Sequence, residues 1–501
     1  MPGNFPVDEE SSDLTFVFWY TLQDTLLGLE QKSNELQIIF RPFFVNLLEI
    51  FITKLQLAND YDSWSDEDKE RLRCYRIDIG DTMVYMITMV GEIMLEFIIK
   101  KLINSIEVNP NDWKMQESLI YMLQSVVSEL NESCSPDFSN TNDTYLISFV
   151  DLLPKINYSN KHILSTTLLS VGSLGSWLER NVHVLPNVIS LCLLGIKTES
   201  VTQSASFALK DIVNECDLCQ YAEQIISTCQ ECLKMGTNSP NYEVRLMSII
   251  GLCLSDLLKV EMQRTLDWLF SIIDPYLIKL NELAQLRQTD KITQSLTCHI
   301  INLLSQLMSS LITRQKRNND MCADDSNTNN STFLSQQNTS LNQSYGGGAG
   351  GSNSSILINR NDEKMIVNSI LIKLLPIYKL ILKRNLPTDL VIIDKIFESI
   401  SVTLSSSISS SDPIAANENM EPIVNDLIEM FYMLNENSWR RFSFEVCRQM
   451  LIIWWKNDKF KHILENLFQY SHQNAMKLIS KGFSNSLKII YFIDYCIIEP
   501  I

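Results

Sequence analysis

Residues 161–179 read KHILSTTLLSVGSLGSWLE, and the apolar residues Leu164, Leu168, Val171, Leu174 and Leu178 advance by four, three, three and four positions. That spacing follows the 3.6-residue turn of an α-helix rather than the two-residue repeat of a strand, so the five side chains form one stripe. A stripe of this width needs a partner to cover it. The segment predicts one amphipathic helix over 161–179.

Segments of the same kind lie on both sides, near 14–29, 35–57, 67–90, 92–106, 112–130, 144–153 and 184–196, then 201–214, 219–234, 241–258, 262–285 and 290–314. They resume near 362–383, 387–408, 420–435, 439–456 and 459–498. Short polar breaks separate them, and no alternating strand pattern competes. Similar helices paired at intervals near 40 residues favour a stack over a single bundle. The stretch YEVRLMSIIGL at 242–252 reads like the second helix of a HEAT repeat, and SASFALKDI at 204–212 has the same character. The expectation is an all-α chain, an α-α superhelix of the HEAT/ARM type built from stacked antiparallel helix pairs, elongated and with a concave binding surface.

Between 317 and 361, Asn, Ser, Gln and Gly dominate, and the run GGGAGG at 346–351 would lose much entropy on ordering. Four segments are therefore expected. They are a disordered polar lead over 1–12, a solenoid over 13–316, a flexible low-complexity insertion over 317–361 and a continued solenoid over 362–501.

Bulk properties narrow the function. The chain has 501 residues, 45% of them hydrophobic, with 15 Gly, 14 Pro and a formal net charge of −18. That charge repels a phosphate backbone and disfavours nucleic acid, while it attracts basic proteins. No apolar run reaches the ~20 residues of a membrane-spanning helix, and the acidic start is unlike a secretory signal. Twelve Cys scattered through apolar segments read as reduced thiols, which places the protein in cytosol or nucleus.

Catalysis finds no support. The residues His162, His183, His299, His462 and His472 fall in separate helical contexts without a nucleophile signature, and the Gly run lacks the strand and the Lys-Ser or Lys-Thr of a phosphate loop. No cofactor is expected. The pairs Cys216/Cys219 and Cys229/Cys232 supply a ligand count that zinc could use, but 220–234 reads as an amphipathic helix without a knuckle turn, so buried thiols are the expectation.

Two groups are candidates for binding a protein. The first is the loop 60–68, YDSWSDED after Asp60, in which Asp60, Asp62, Asp66, Glu67 and Asp68 surround Trp64 and could dock a basic surface around an aromatic anchor. The second is the set Arg76, Asp78 and Asp81, with Arg73, close together on one predicted helix. The plainer reading has Trp64 packing down and the helix charges pairing inside the stack.

Several short stretches then carry a resemblance in collinear order. They are LTF at 14–16, FWYTLQD at 18–24, Arg41-Pro42, Trp64 before DED at 66–68, YRIDIGDT at 75–82, Trp113 before ESL at 117–119, SWL at 176–178 and IIDPY at 272–276. Together they resemble the importin-13 branch of the importin-β-like receptors. The resemblance implies a carrier shuttling between nucleus and cytoplasm, with protein cargo, Ran-GTP and the Phe-Gly repeats of pore proteins as partners. It also implies that repeats carrying the main Ran-GTP contact precede Leu14 in the family, so this chain is expected to be the central part of such a receptor. A HEAT scaffold for a cytosolic enzyme assembly is the alternative.

Overall fold

The computed structural model describes residues 3–28, 33–91, 93–132, 139–236, 239–286, 290–327, 360–384 and 390–407, with 426–427 and 429–430. Among them there are helices and no strand. The chain divides into two units, 1–238 and 239–501.

The first unit holds α1 (Phe16–Leu27), α2 (Ser33–Leu55), α3 (Asp66–Val90), α4 (Ile93–Val108), α5 (Trp113–Glu132) and α6 (Ser139–Leu152). It continues with α7 (Lys161–Gly172), α8 (Gly175–Arg180), α9 (Leu185–Lys197), α10 (Thr202–Glu215) and α11 (Ala222–Met235). Helices α1, α3, α5, α7 and α10 pack side by side in one layer, and α4, α6, α9 and α11 form a second, with α2 beside α3. The pairs α2/α3, α4/α5 and α9/α10 join the layers. This is the HEAT/ARM-type stacking that the periodicity predicts.

All five stripe residues of 161–179 are buried, but the helix is not continuous. It breaks at Ser173 and Leu174, where Gly172, Ser173 and Gly175 hold the helix poorly. Glycine is also needed there for space, since a Cβ on Gly172 would lie 2.8 Å from the Ala208 Cα of α10. Local caps set other boundaries. Ser65 Oγ accepts the Asp68 amide at 3.1 Å ahead of α3, whose first turn carries Asp66, Glu67 and Asp68 against the positive end of its dipole. Asn160 accepts the His162 amide at 2.8 Å ahead of α7. Gly236, at φ +67°, closes α11 in the left-handed conformation that other residues avoid.

The second unit holds α12 (Pro240–Leu258), α13 (Met262–Ala284), α14 (Lys291–Asn327), α15 (Arg360–Arg384) and α16 (Leu390–Ser407). Helices α12, α14 and α16 form one layer and α13 and α15 the other. The HEAT-like segment 242–252 is the core of α12, where Leu246, Ile249, Ile250 and Cys253 are buried.

Two boundaries differ from the sequence reading. The lead is not a loose tail: Phe5 is buried and stacks on Tyr75 of α3 at 4.3 Å, and Glu9 meets Lys54 at 2.8 Å. Its aromatic residue and its carboxylate each find a partner that composition could not reveal. Helix α14 reaches Asn327 and α15 starts at Arg360, so the insertion expected over 317–361 falls, between 328 and 359, outside the described residues. The helices expected near 420–435, 439–456 and 459–498 also lie outside them, apart from 426–427 and 429–430.

Candidate protein-binding face

The structure separates the expected residues into three environments. The loop before α3 folds down against the first turns of α5 and α7. Tyr61 meets His162 edge-on at 5.4 Å, Trp113 stacks on the same imidazole at 6.0 Å, and half-buried Trp64 packs against Tyr61 at 5.6 Å. Asp62 lies 2.9 Å from Lys161 Nζ and 3.2 Å from His162 Nε2. The Lys161 hydrogen bond, with the nearby imidazole, holds the Asp62 carboxyl below its usual range. Asp60 uses its carbonyl to accept Ser63 Oγ at 2.6 Å, and Lys114 and Lys69 tie down Asn59 and the Asp62 carbonyl. Asp66 and Glu67 remain exposed, and Asp68 bonds Ser65 Oγ at 2.7 Å.

Arg76 does not join Asp78 and Asp81. Two positions along a helix are 200° apart, so Arg76 points across the layer while the two aspartates point out. Its Nη2 donates to Glu117 Oε1 of α5 at 2.7 Å, and its guanidinium lies 4.1 Å from the Tyr121 ring centroid. Glu117 also accepts Thr166 Oγ1 of α7 at 2.7 Å, so one buried carboxylate ties three successive helices. Arg73 turns to Glu70 at 2.6 Å.

Asp78 and Asp81 form the third environment, exposed on α3 beside α1. Tyr20 OH of α1 donates to the Asp78 carbonyl at 3.3 Å and its ring lies 5.0 Å from that of Tyr85. Partial burial, then the neighbouring carboxylates of Asp81 and Asp13, raises the Asp78 carboxyl above its usual range. Tyr20 and Tyr85 were not singled out from the sequence. Their positions relative to Asp24 and Asp78 place them on the same helix arcs, a signal visible only once α1 is known to lie against α3.

A model of the family described as "Importin 13 repeat" matches residues 57–92, the loop and α3 just described. Importin-13 of Gallus gallus is 33% identical over 320 residues, covering 62% of this chain and 32% of the relative. Importin-13 of Homo sapiens is 32% identical over 319 residues, with the same coverage of 62% and 32%. Over this span the chain is similar to importin-13. A solved structure titled "Importin13 cytosolic state" shares the fold with TM-score 0.73 at 21% identity, over 96% of this chain and 48% of that one. Importin beta crystallised in polyethylene glycol follows with TM-score 0.51 at 11% identity, over 93% and 56%. This importin-13-like chain spans about a third of the length of the curated relatives it matches.

Of the four thiols that could count as zinc ligands, Cys216, Cys229 and Cys232 are buried and Cys219 is half-buried. Cys216 Sγ donates to the Gly175 carbonyl at 3.6 Å and Cys232 Sγ to the Ile196 carbonyl at 3.7 Å. Cys229 is buried, and that burial pushes its thiol well above the usual range. Among the described residues no group of three or more His, Cys, Asp or Glu converges as a metal site. No single described helix is long and apolar enough to cross a membrane.

Proposed function

We propose that this chain carries protein cargo through nuclear pores as the helical body of a transport receptor. The observation that supports it most is the 33% identity to importin-13 over 320 residues, far longer than one repeat. The stacked helices suit the task, because a solenoid offers a long surface built from many repeats and needs no catalytic group. In this reading the receptor moves between nucleus and cytoplasm, Ran-GTP governs loading and release, and Phe-Gly repeats of pore proteins hold it during passage. A charge of −18 favours basic cargo and speeds its encounter.

Ran control requires linkage. Ran-GTP must bind the loaded and the empty receptor with different affinities, or it releases nothing. The test is entry of the fluorescent chain into nuclei of permeabilised cells, with and without Ran-GTP, beside an inert protein of equal mass. Entry faster than the inert protein, blocked by a lectin that occludes pores, is expected. Exclusion equal to that of the inert protein would end the proposal.

A further inference from the structure

The neighbouring faces of α1 and α3 leave apolar and aromatic surface open beside carboxylates. Val17 is 70% exposed, Tyr85 49% and Ile77 40%. At 100° per residue, Ile77, Asp78, Asp81 and Tyr85 fall within one arc of α3, and Val17 and Tyr20 fall within one arc of α1. The two arcs meet where Tyr20 touches Asp78 and Tyr85. Burial and the Asp81 and Asp13 carboxylates act on Asp78 with no cation among the described residues to offset them.

A wholly apolar occupant would cover Val17 and Ile77 but strip water from Asp78 and Asp81 without replacing it, which is costly. A lysine would supply charge as a compact, strongly hydrated point. Arginine matches every element: its plane stacks on tyrosine rings, its fork bonds carboxylates in pairs, and its stem lies on apolar side chains. We infer that this face docks an arginine-bearing segment of a partner protein, with the guanidinium on Tyr20 and Tyr85, its hydrogens toward Asp78 and Asp81, and its stem along Val17 and Ile77. The inference rests on the reading of the chain as a cargo carrier and names the chemistry the cargo presents here.

The experiment measures binding of a fluorescent peptide of alternating arginine and alanine to the whole chain, beside its lysine counterpart. The arginine peptide should bind roughly fivefold tighter than the lysine peptide. Tyr85→Leu should abolish that preference, and Asp78→Asn with Asp81→Asn should weaken arginine binding about tenfold. Glu107→Gln with Glu179→Gln removes the same charge from exposed positions elsewhere and should leave binding unchanged. Equal weakening by both double variants, or an arginine preference that survives Tyr85→Leu, overturns the inference. Nuclear entry reads the transport proposal separately. A chain that binds the peptide but never enters nuclei sinks transport and keeps the docking face, and a chain that enters nuclei but ignores the peptide does the reverse.

Discussion

Arg76 and Glu117, 41 positions apart, meet at 2.7 Å with side chains only 10% and 1% exposed. A buried pair is costly to break because the survivor keeps its charge with no opposite charge to balance it, and the Thr166 hydroxyl alone does not neutralise Glu117. Arg76→Met should therefore destabilise the α3/α5 contact by about 3–5 kcal/mol. Adding Glu117→Leu should recover part of the loss, since it removes the stranded charge. Hydrogen exchange of α3 and α5 amides measures both. A double variant as weak as the sum of the singles would argue against the pairing.

At Gly251 the backbone of α12 packs directly on that of α14. A Cβ there would lie 2.6 Å from the Leu307 carbonyl oxygen and 2.9 Å from the Ser310 Cβ, and a backbone oxygen cannot step aside. Gly251→Ala should cost about 1–3 kcal/mol through overpacking, although alanine is the better helix former. Thermal unfolding should show a lower midpoint. An unchanged or raised midpoint would mean that the two helices sit farther apart.

The helices were legible because burial imposes the period. Leu164, Leu168, Val171, Leu174 and Leu178 had to face one way to leave water, and all of them do. The break after Gly172 was not legible, because apolar spacing continues through it. The binding candidates were less readable still. The 200° between Arg76 and Asp78 sets them on opposite faces, but which of the two points in toward Glu117 depends on which face α5 covers, a fact held in the stacking of distant segments. Val17 and Ile77 show the limit from the other side. Apolar residues at helical spacing read as core, yet these two face solvent.

Thiol chemistry separates exposed from packed cysteines. Cys74 is exposed, while Cys192, Cys229 and Cys253 are buried. Burial pushes the Cys192 thiol up to about 12, and the thiolate is the reactive form. A maleimide at neutral pH should therefore label Cys74 readily and leave Cys192, Cys229 and Cys253 intact until the chain unfolds. Mass spectrometry of the digested protein reads each site. Labelling of Cys229 at the rate of Cys74 would contradict the packing of α11. Stoichiometric zinc in the native protein, lost together with protection of Cys216, Cys219, Cys229 and Cys232 on chelation, would restore the metal reading.

The packed lead should respond to acid through Glu9. Burial would raise this carboxyl, but hydrogen bonds from Lys54 and Ser12 outweigh it and hold the group at about 2, below its ordinary 4.5. Lys54 Nζ stands 2.8 Å from Oε1, and the amides of Ser11 and Ser12 reach Oε2 at 3.1 and 3.0 Å. A depressed carboxyl stabilises the fold above its unfolded value, and that stabilisation fades as pH falls from about 4.5 toward 2. At neutral pH it amounts to the order of 3 kcal/mol. Hydrogen exchange of the peptide 3–16, corrected for intrinsic rates, should show the lead loosening across that window while Phe5 loses its place on Tyr75. In Glu9→Gln the lead should already be looser at pH 7, and the acid step should vanish because nothing titrates there. If Glu9→Gln kept the wild-type step, another group would be the one that anchors the lead, and the Lys54 contact would be incidental.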